Sequence, residues 1–187
     1  DAAERDVARR LRDAEALLFA TGNARGVSVT VLRPTLVYGS GRDANLSKLA
    51  QLALRHGRLL LPRTACGLRQ PVHVDDVALA ALAAASATAT GAAAYDVPGG
   101  ETLPYRDMVQ RVLACLSPPP RLHLLPGPLF GLALATAHWR GIARELSPAV
   151  LQRMQLDLVF DAQPAQRDLN YVPRLFSPEA DMFVVRD

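Results

Sequence analysis

Residues 27–32, Val-Ser-Val-Thr-Val-Leu, make a β-branched apolar run between a glycine-marked break at 22–26 and Pro34. Such a run fits a strand buried in a parallel sheet. A helix is expected immediately before it, over residues 1–20, because Val7, Leu11, Ala14 and Leu18 fall on one apolar stripe at helical spacing. Helix then buried strand is the rhythm of a doubly wound α/β sheet. In open sheets of that kind ligands lie beyond the carboxyl ends of the strands, so the loop over 38–45, rich in glycine and polar residues, is the first place to look for a site. Pro34 is expected to end the strand's ladder pairing.

The same alternation continues. A helix is expected over 45–56, closed by Gly57, then an extended piece over 58–62 and a short strand over 72–74. Asp75 and Asp76 head an Ala-rich helix reaching about residue 87, where their charges suit the positive helix end. A strand over 94–97 follows. Thr102 is placed to cap a helix with Pro104 in its first turn, and Met108, Val109, Val112, Leu113 and Leu116 supply its buried face. Beyond the proline run that stops it, the pattern reads as a Pro-interrupted apolar helix to about residue 144, a helix starting at Ser147-Pro148, a strand over 158–160 and a short helix over 164–169.

Composition limits what such a chain does. At 187 residues, half of them apolar and 21% charged, it can bury a sizeable core. The net charge of +3 comes almost wholly from dispersed arginines, since Lys48 is the sole lysine, and aromatics are 5%. A nucleic-acid surface of clustered basic residues and stacking rings is not supported. Cys66 and Cys115 have no metal-type spacing and read as reduced thiols of a cytoplasmic protein. The apolar 124–137 stretch is too short to span a bilayer. As part of a longer face over 124–139, it is suited to press against a membrane or partner protein.

Three segments in order, Leu32-Arg33-Pro34-Thr35-Leu36-Val37-Tyr38-Gly39, Arg69-Gln70-Pro71-Val72-His73-Val74-Asp75-Asp76 and Tyr95-Asp96-Val97-Pro98-Gly99-Gly100-Glu101-Thr102, resemble the C-terminal half of the extended short-chain dehydrogenase/reductases, the NAD(P)-dependent nucleotide-sugar epimerase and dehydratase family. The resemblance implies an α/β fold: the C-terminal part of a Rossmann-like parallel sheet plus a small, mostly helical substrate lobe. Residues 1–60 would end the nucleotide-binding fold, and 61–187 would mix the substrate lobe with returning sheet elements. It also implies that roughly 120 residues of nucleotide-binding half precede Asp1, so the chain is expected to be the rear portion of a longer protein.

By the same resemblance the main chain of Pro34, Thr35 and Leu36 would face the nicotinamide of NAD or NADP, and Tyr38 and Gly39 would open the substrate loop. Asn45 would offer an amide to a nucleotide, and Arg69 would pair with the diphosphate of a nucleotide sugar. The chemistry suits Arg69, because a guanidinium fork binds phosphate oxygens bidentately and keeps its charge. Many relatives carry Asn at the Leu36 position. His73 is expected to be a hydrogen-bonded core imidazole, and Asp76 to cap its helix and brace the substrate loop.

The family's Tyr-x-x-x-Lys pair, in which Lys holds the nicotinamide ribose and lowers the Tyr pKa, sits on the helix before the Arg-Pro strand. With Glu15 aligned to the Glu that often follows on that helix, the pair falls on Val7 and Leu11. Neither can transfer a proton, and both lie on the stripe expected to be buried. No other residue is assigned a catalytic role. The chain is similar to atypical members that keep the fold and lose the pair. Two readings follow: an NAD(P)-dependent epimerase/dehydratase-like protein whose substrate half is this chain, or a non-catalytic NAD(P)-binding scaffold or regulatory subunit. Alone, the chain would expose its first helix's stripe, which homodimerisation would cover.

Overall fold

The computed structural model describes residues 2–43, 45–87, 93–139 and 148–183. Its order is α1 (Ala2–Arg25), β1 (Thr30–Pro34), β2 (Val37–Tyr38), α2 (Leu46–His56), β3 (Arg58–Pro62), β4 (Leu68–Arg69), β5 (Val72–His73), α3 (Val74–Ser86) and β6 (Ala93–Val97), then β7 (Leu103–Pro104), α4 (Tyr105–Cys115), β8 (Arg121–Leu125), α5 (Gly127–Trp139), α6 (Pro148–Arg153) and α7 (Gln163–Leu169). A short 3-10 turn, Ala180–Met182, closes the chain. The architecture is α/β with parallel strand pairs.

β1 and β6 run parallel in register from Thr30 opposite Ala93 to Pro34 opposite Val97, so Pro34 still lies in the ladder it was expected to end. α3, the helix between them, and α7 cover this pair. Ala80, Tyr95, Val97, Ala165, Leu169 and Tyr171 form the buried cluster there. The Tyr171 hydroxyl donates to the Pro98 carbonyl at 2.7 Å, fastening the end of α7 to the end of β6.

A second cluster joins Tyr38 to α2, β3 and α4, and draws in Phe176 and Phe183 from the end of the chain. Leu59 and Leu61 alternate inward on β3, as a half-buried strand requires. All five apolar residues expected to be buried along 108–116 are so, at 3% exposure or less. The helix itself starts later than expected, at Tyr105, with Pro104 at its cap position rather than Thr102. Leu103 and Pro104 instead pair antiparallel with Arg69 and Leu68, which draws this stretch into a ladder.

Three further differences have local causes. α1 continues through Gly22 to Arg25. Residues 121–125, included in the expected apolar helix region, form β8, which pairs in parallel with β3 along its whole length. Residues 158–160 are irregular: the Leu158 amide is taken by the Leu68 carbonyl at 2.9 Å, and the Phe160 amide by the Gln70 side chain at 2.7 Å. The expected end of the apolar helix near 144 and the Ser147 start lie outside the described residues.

The apolar stripe of α1 is not buried. Val7 is 55% exposed and Leu11 61%, because no other described element packs on that face. What ties α1 to β1 is polar: Arg33 donates to both oxygens of Glu15, at 3.1 and 2.5 Å. That hydrogen bonding holds the Glu15 carboxyl below the ordinary carboxylate range and raises the guanidinium.

Candidate functional site

At the carboxyl end of β1 the chain turns through Thr35 and Leu36 into β2. The Thr35 hydroxyl donates to the Gln70 carbonyl, and the Leu36 carbonyl accepts from the Val72 amide at 2.9 Å. β2 then pairs with β5, Val37 opposite Val72 and Tyr38 opposite His73. The first and second motif segments therefore lie side by side. The third joins them at Gly99, whose amide donates to the same Gln70 carbonyl at 3.2 Å. A Cβ on Gly99 would stand 1.8 Å from the Pro71 carbonyl oxygen, so no other residue permits this approach.

Tyr38 is 1% exposed. Its ring meets His73 and Phe176 edge-on, with centroids 5.1 and 4.9 Å away. Burial pushes its phenol pKa up. Gly39, at φ +104, passes so close to His73 that an added Cβ would lie 2.6 Å from Nε2. His73 Nδ1 accepts from the Asp75 amide at 3.2 Å, so the imidazole caps α3 and Asp76 does not. Buried Asp76 instead accepts the Arg174 amide at 3.0 Å and its Nε at 2.9 Å, bracing the segment after α7.

Asn45 is exposed and its side chain makes no cap bond. The start of α2 is satisfied by Asp43, whose Oδ1 accepts from the amides of Asn45 at 3.1 Å and Ser47 at 3.0 Å. Arg69 is 6% exposed. Its Nη1 donates to the Leu68 and Leu156 carbonyls, both at 2.7 Å, and its Nη2 to the Arg153 carbonyl at 2.5 Å. The guanidinium also stands 5.4 Å from the centre of the Tyr105 ring. Desolvation lowers its pKa and Arg153 adds to the shift, while Tyr105 and Asp157 oppose it.

Sequence reasoning missed Arg153 and Gln70. Arg153 was one arginine among many. Gln70 lies inside the second motif segment, yet only the structure shows one residue holding the Thr35 turn, the Gly99 turn and residue 160 together. Asp157 was missed too: its Oδ1 takes the Leu68 amide at 2.8 Å, so the residues following α6 are stitched onto β4 next to Arg69.

The 34–36 main chain lies at the carboxyl edge of β1. The starts of the described helices α2, α3 and α4 do not fit a dinucleotide's diphosphate. Asp43, Asp75 with Asp76, and Asp107 occupy them, and these carboxylates repel phosphate.

Residues 12–97 match the NAD dependent epimerase/dehydratase family. The chain belongs to that family, within the extended short-chain dehydrogenases/reductases. Over 170 residues it is 31% identical to a 2-alkyl-3-oxoalkanoate reductase of Stenotrophomonas maltophilia (strain K279a), covering 82% of this chain and 49% of the reductase. The fold matches RMD from Pseudomonas aeruginosa complexed with NADPH at a TM-score of 0.60 and 19% identity, over 87% of this chain and 48% of that one. It also matches a UDP-glucuronic acid 4-epimerase from Bacillus cereus, in complex with UDP-glucuronic acid and NAD, at a TM-score of 0.60 and 17% identity, over 87% and 45%. The chain therefore spans about half the length of these relatives. Such neighbours establish the Rossmann-like architecture.

Proposed function

We propose that this chain is the substrate-binding half of an NAD(P)-dependent epimerase/dehydratase-type protein that takes a nucleotide sugar or a comparable anionic substrate. The observation that carries the reading is the buried Arg69 guanidinium, one residue from the Gln70 junction that holds Thr35. The cofactor would supply a hydride acceptor. Pro34, Thr35 and Leu36 would line its nicotinamide end, while Arg69 and Arg153 would hold the substrate's diphosphate or carboxylate. Tyr38 would shape the loop from within the core, and Asn45, exposed ahead of α2, would reach a nucleotide.

The named neighbours support both substrate types: one is complexed with UDP-glucuronic acid, and the reductase's name specifies an oxoalkanoate. The test is reduction of NAD or NADP by the intact natural protein with a panel of nucleotide sugars, and oxidation of the reduced cofactors with 2-alkyl-3-oxoacids. Turnover of a nucleotide sugar is the expected result. Turnover of oxoacids alone would move the substrate class and keep the anion site.

A second reading, a non-catalytic NAD(P)-binding scaffold or regulatory subunit, is favoured by one observation. By the resemblance Val7 and Leu11 would stand where the proton-transfer pair sits, and neither side chain can transfer a proton. Binding of NAD(P) without turnover of any substrate on either panel would establish it.

A further inference from the structure

A recess of about 260 Å3 lies behind the Gln70 main chain, bordered by Gln70, Thr102, Phe160, Asp161, Gln163 and Gln166 together with the Gly99–Gly100 turn. We infer that it is a second binding site, for an uncharged polyhydroxylated ligand of monosaccharide size. It is distinct from the anion site at Arg69: successive side chains of extended backbone point to opposite sides, and Arg69 reaches the carbonyls at the end of α6 while Gln70 reaches residue 160.

The strongest observation concerns Gln70, 9% exposed. Its Oε1 accepts the Phe160 amide at 2.7 Å, whereas its amide nitrogen has no hydrogen-bond partner among the described residues. No fully buried side-chain nitrogen or oxygen there lacks a partner, so that nitrogen meets open space, and the recess is the open space Gln70 borders. Both N–H donors of that carboxamide are thus open to an acceptor in the recess.

The remaining lining defines the acceptor's chemistry. Thr102, Gln163 and Gln166 offer one hydroxyl and two carboxamides, each able to donate and accept. Asp161 adds a carboxylate, with Oδ1 receiving the Gln163 amide at 2.9 Å. No arginine or lysine borders the recess, and its single charge is negative, which disfavours phosphates and carboxylates. Phe160 gives the wall an apolar aromatic residue. Alternating donors and acceptors beside an aromatic residue match a sugar's hydroxyls and its C–H face. The volume lies just below the range of drug-sized pockets, as a single sugar ring requires.

The test is saturation-transfer NMR on the intact protein with glucose, galactose and N-acetylglucosamine as probes. Transfer to at least one sugar is expected, persisting when saturating UDP fills the anion site. Thr102→Val and Gln166→Ala, both exposed and without structural hydrogen bonds from their side chains, should each weaken that binding by about threefold to tenfold, the loss of one neutral hydrogen bond, without moving the melting temperature. Absence of transfer to all three probes would overturn the proposal. So would displacement of the sugar by UDP, or unchanged affinity in both variants.

Discussion

The region around Tyr38, α2 and α4 and the region of α1 solve the same problem in opposite ways. In the first, apolar residues at helical spacing disappear from solvent: Met108, Val109 and Val112 are at 0% and Leu113 at 1%. In the second, an equally regular stripe stays open, with Val7 and Leu11 more than half exposed and only the Glu15–Arg33 pair joining helix to strand. Periodicity alone states which face of a helix wants cover. Whether cover exists depends on what the rest of the fold brings, and α4 receives α2, β7 and the segment around Phe176 while α1 receives only β1's polar end.

The sharpest way to break this contrast is to truncate the closed side. Leu113→Ala should cost about 3 kcal/mol, the transfer of a buried Leu plus the cavity it leaves. Urea unfolding measures it, and a loss under about 1 kcal/mol would mean the cluster relaxes like a surface.

Next in size is the difference between the two arginines of the proposed anion site. The Arg69 guanidinium satisfies three main-chain carbonyls. Arg69→Ala should therefore destabilise by about 1.5 to 3 kcal/mol as well as weaken nucleotide-diphosphate binding. Arg153→Gln, at an exposed position, should lower UDP affinity by a similar amount. Calorimetric titration with UDP separates them. Equal stability losses would make both purely structural.

A smaller effect distinguishes two bidentate ion pairs. In the lobe, Arg111 donates to Glu101 at 2.8 and 2.6 Å and also to the Phe176 carbonyl. Its hydrogen bonds hold the Glu101 carboxyl below the ordinary value of 4.5. The folded pKa lies below the unfolded one, so this pair's stabilisation is complete above the unfolded carboxylate pKa of about 4.3 and is lost as pH falls through the folded value. Glu101→Gln should flatten the acid limb of stability against pH. An unaltered limb would assign acid sensitivity elsewhere. Glu15→Gln, on the open side, should flatten that limb less, since Glu101 gains a backbone hydrogen bond at Phe176 that Glu15 lacks.

Much of the fold was legible because local chemistry and tertiary outcome agree. Gly57 closes α2 where its position after a helical run requires, and the 108–116 face is buried as its spacing demands. What was not legible depends on partners distant in sequence. Arg121-Leu-His-Leu-Leu has too little pattern to announce a strand, and becomes one because β3 lies alongside. The apolar residues 158–160 looked like a strand, but their amides are claimed by Leu68 and Gln70. The motif segments do meet in the fold, while their junction rests on Gln70, Arg153 and Asp157, whose roles depend on contacts across some 80 to 90 positions.

The smallest expected effect is the most direct check on α1. If its stripe were packed, Val7→Tyr with Leu11→Lys would force a phenol and an ammonium into an apolar contact and cost several kcal/mol. With both positions more than half exposed, the double variant of this chain should unfold within about 0.5 kcal/mol of the parent, as surface substitutions do. It should also gain no activity, because a phenol and an ammonium work only when a cofactor and a substrate carbon are held against them. In a longer protein carrying this chain the same measurement gains a second meaning. A large loss there with none in this chain would show that the stripe is covered by residues outside it. Equal, negligible losses in both would leave α1 an open face of the whole molecule.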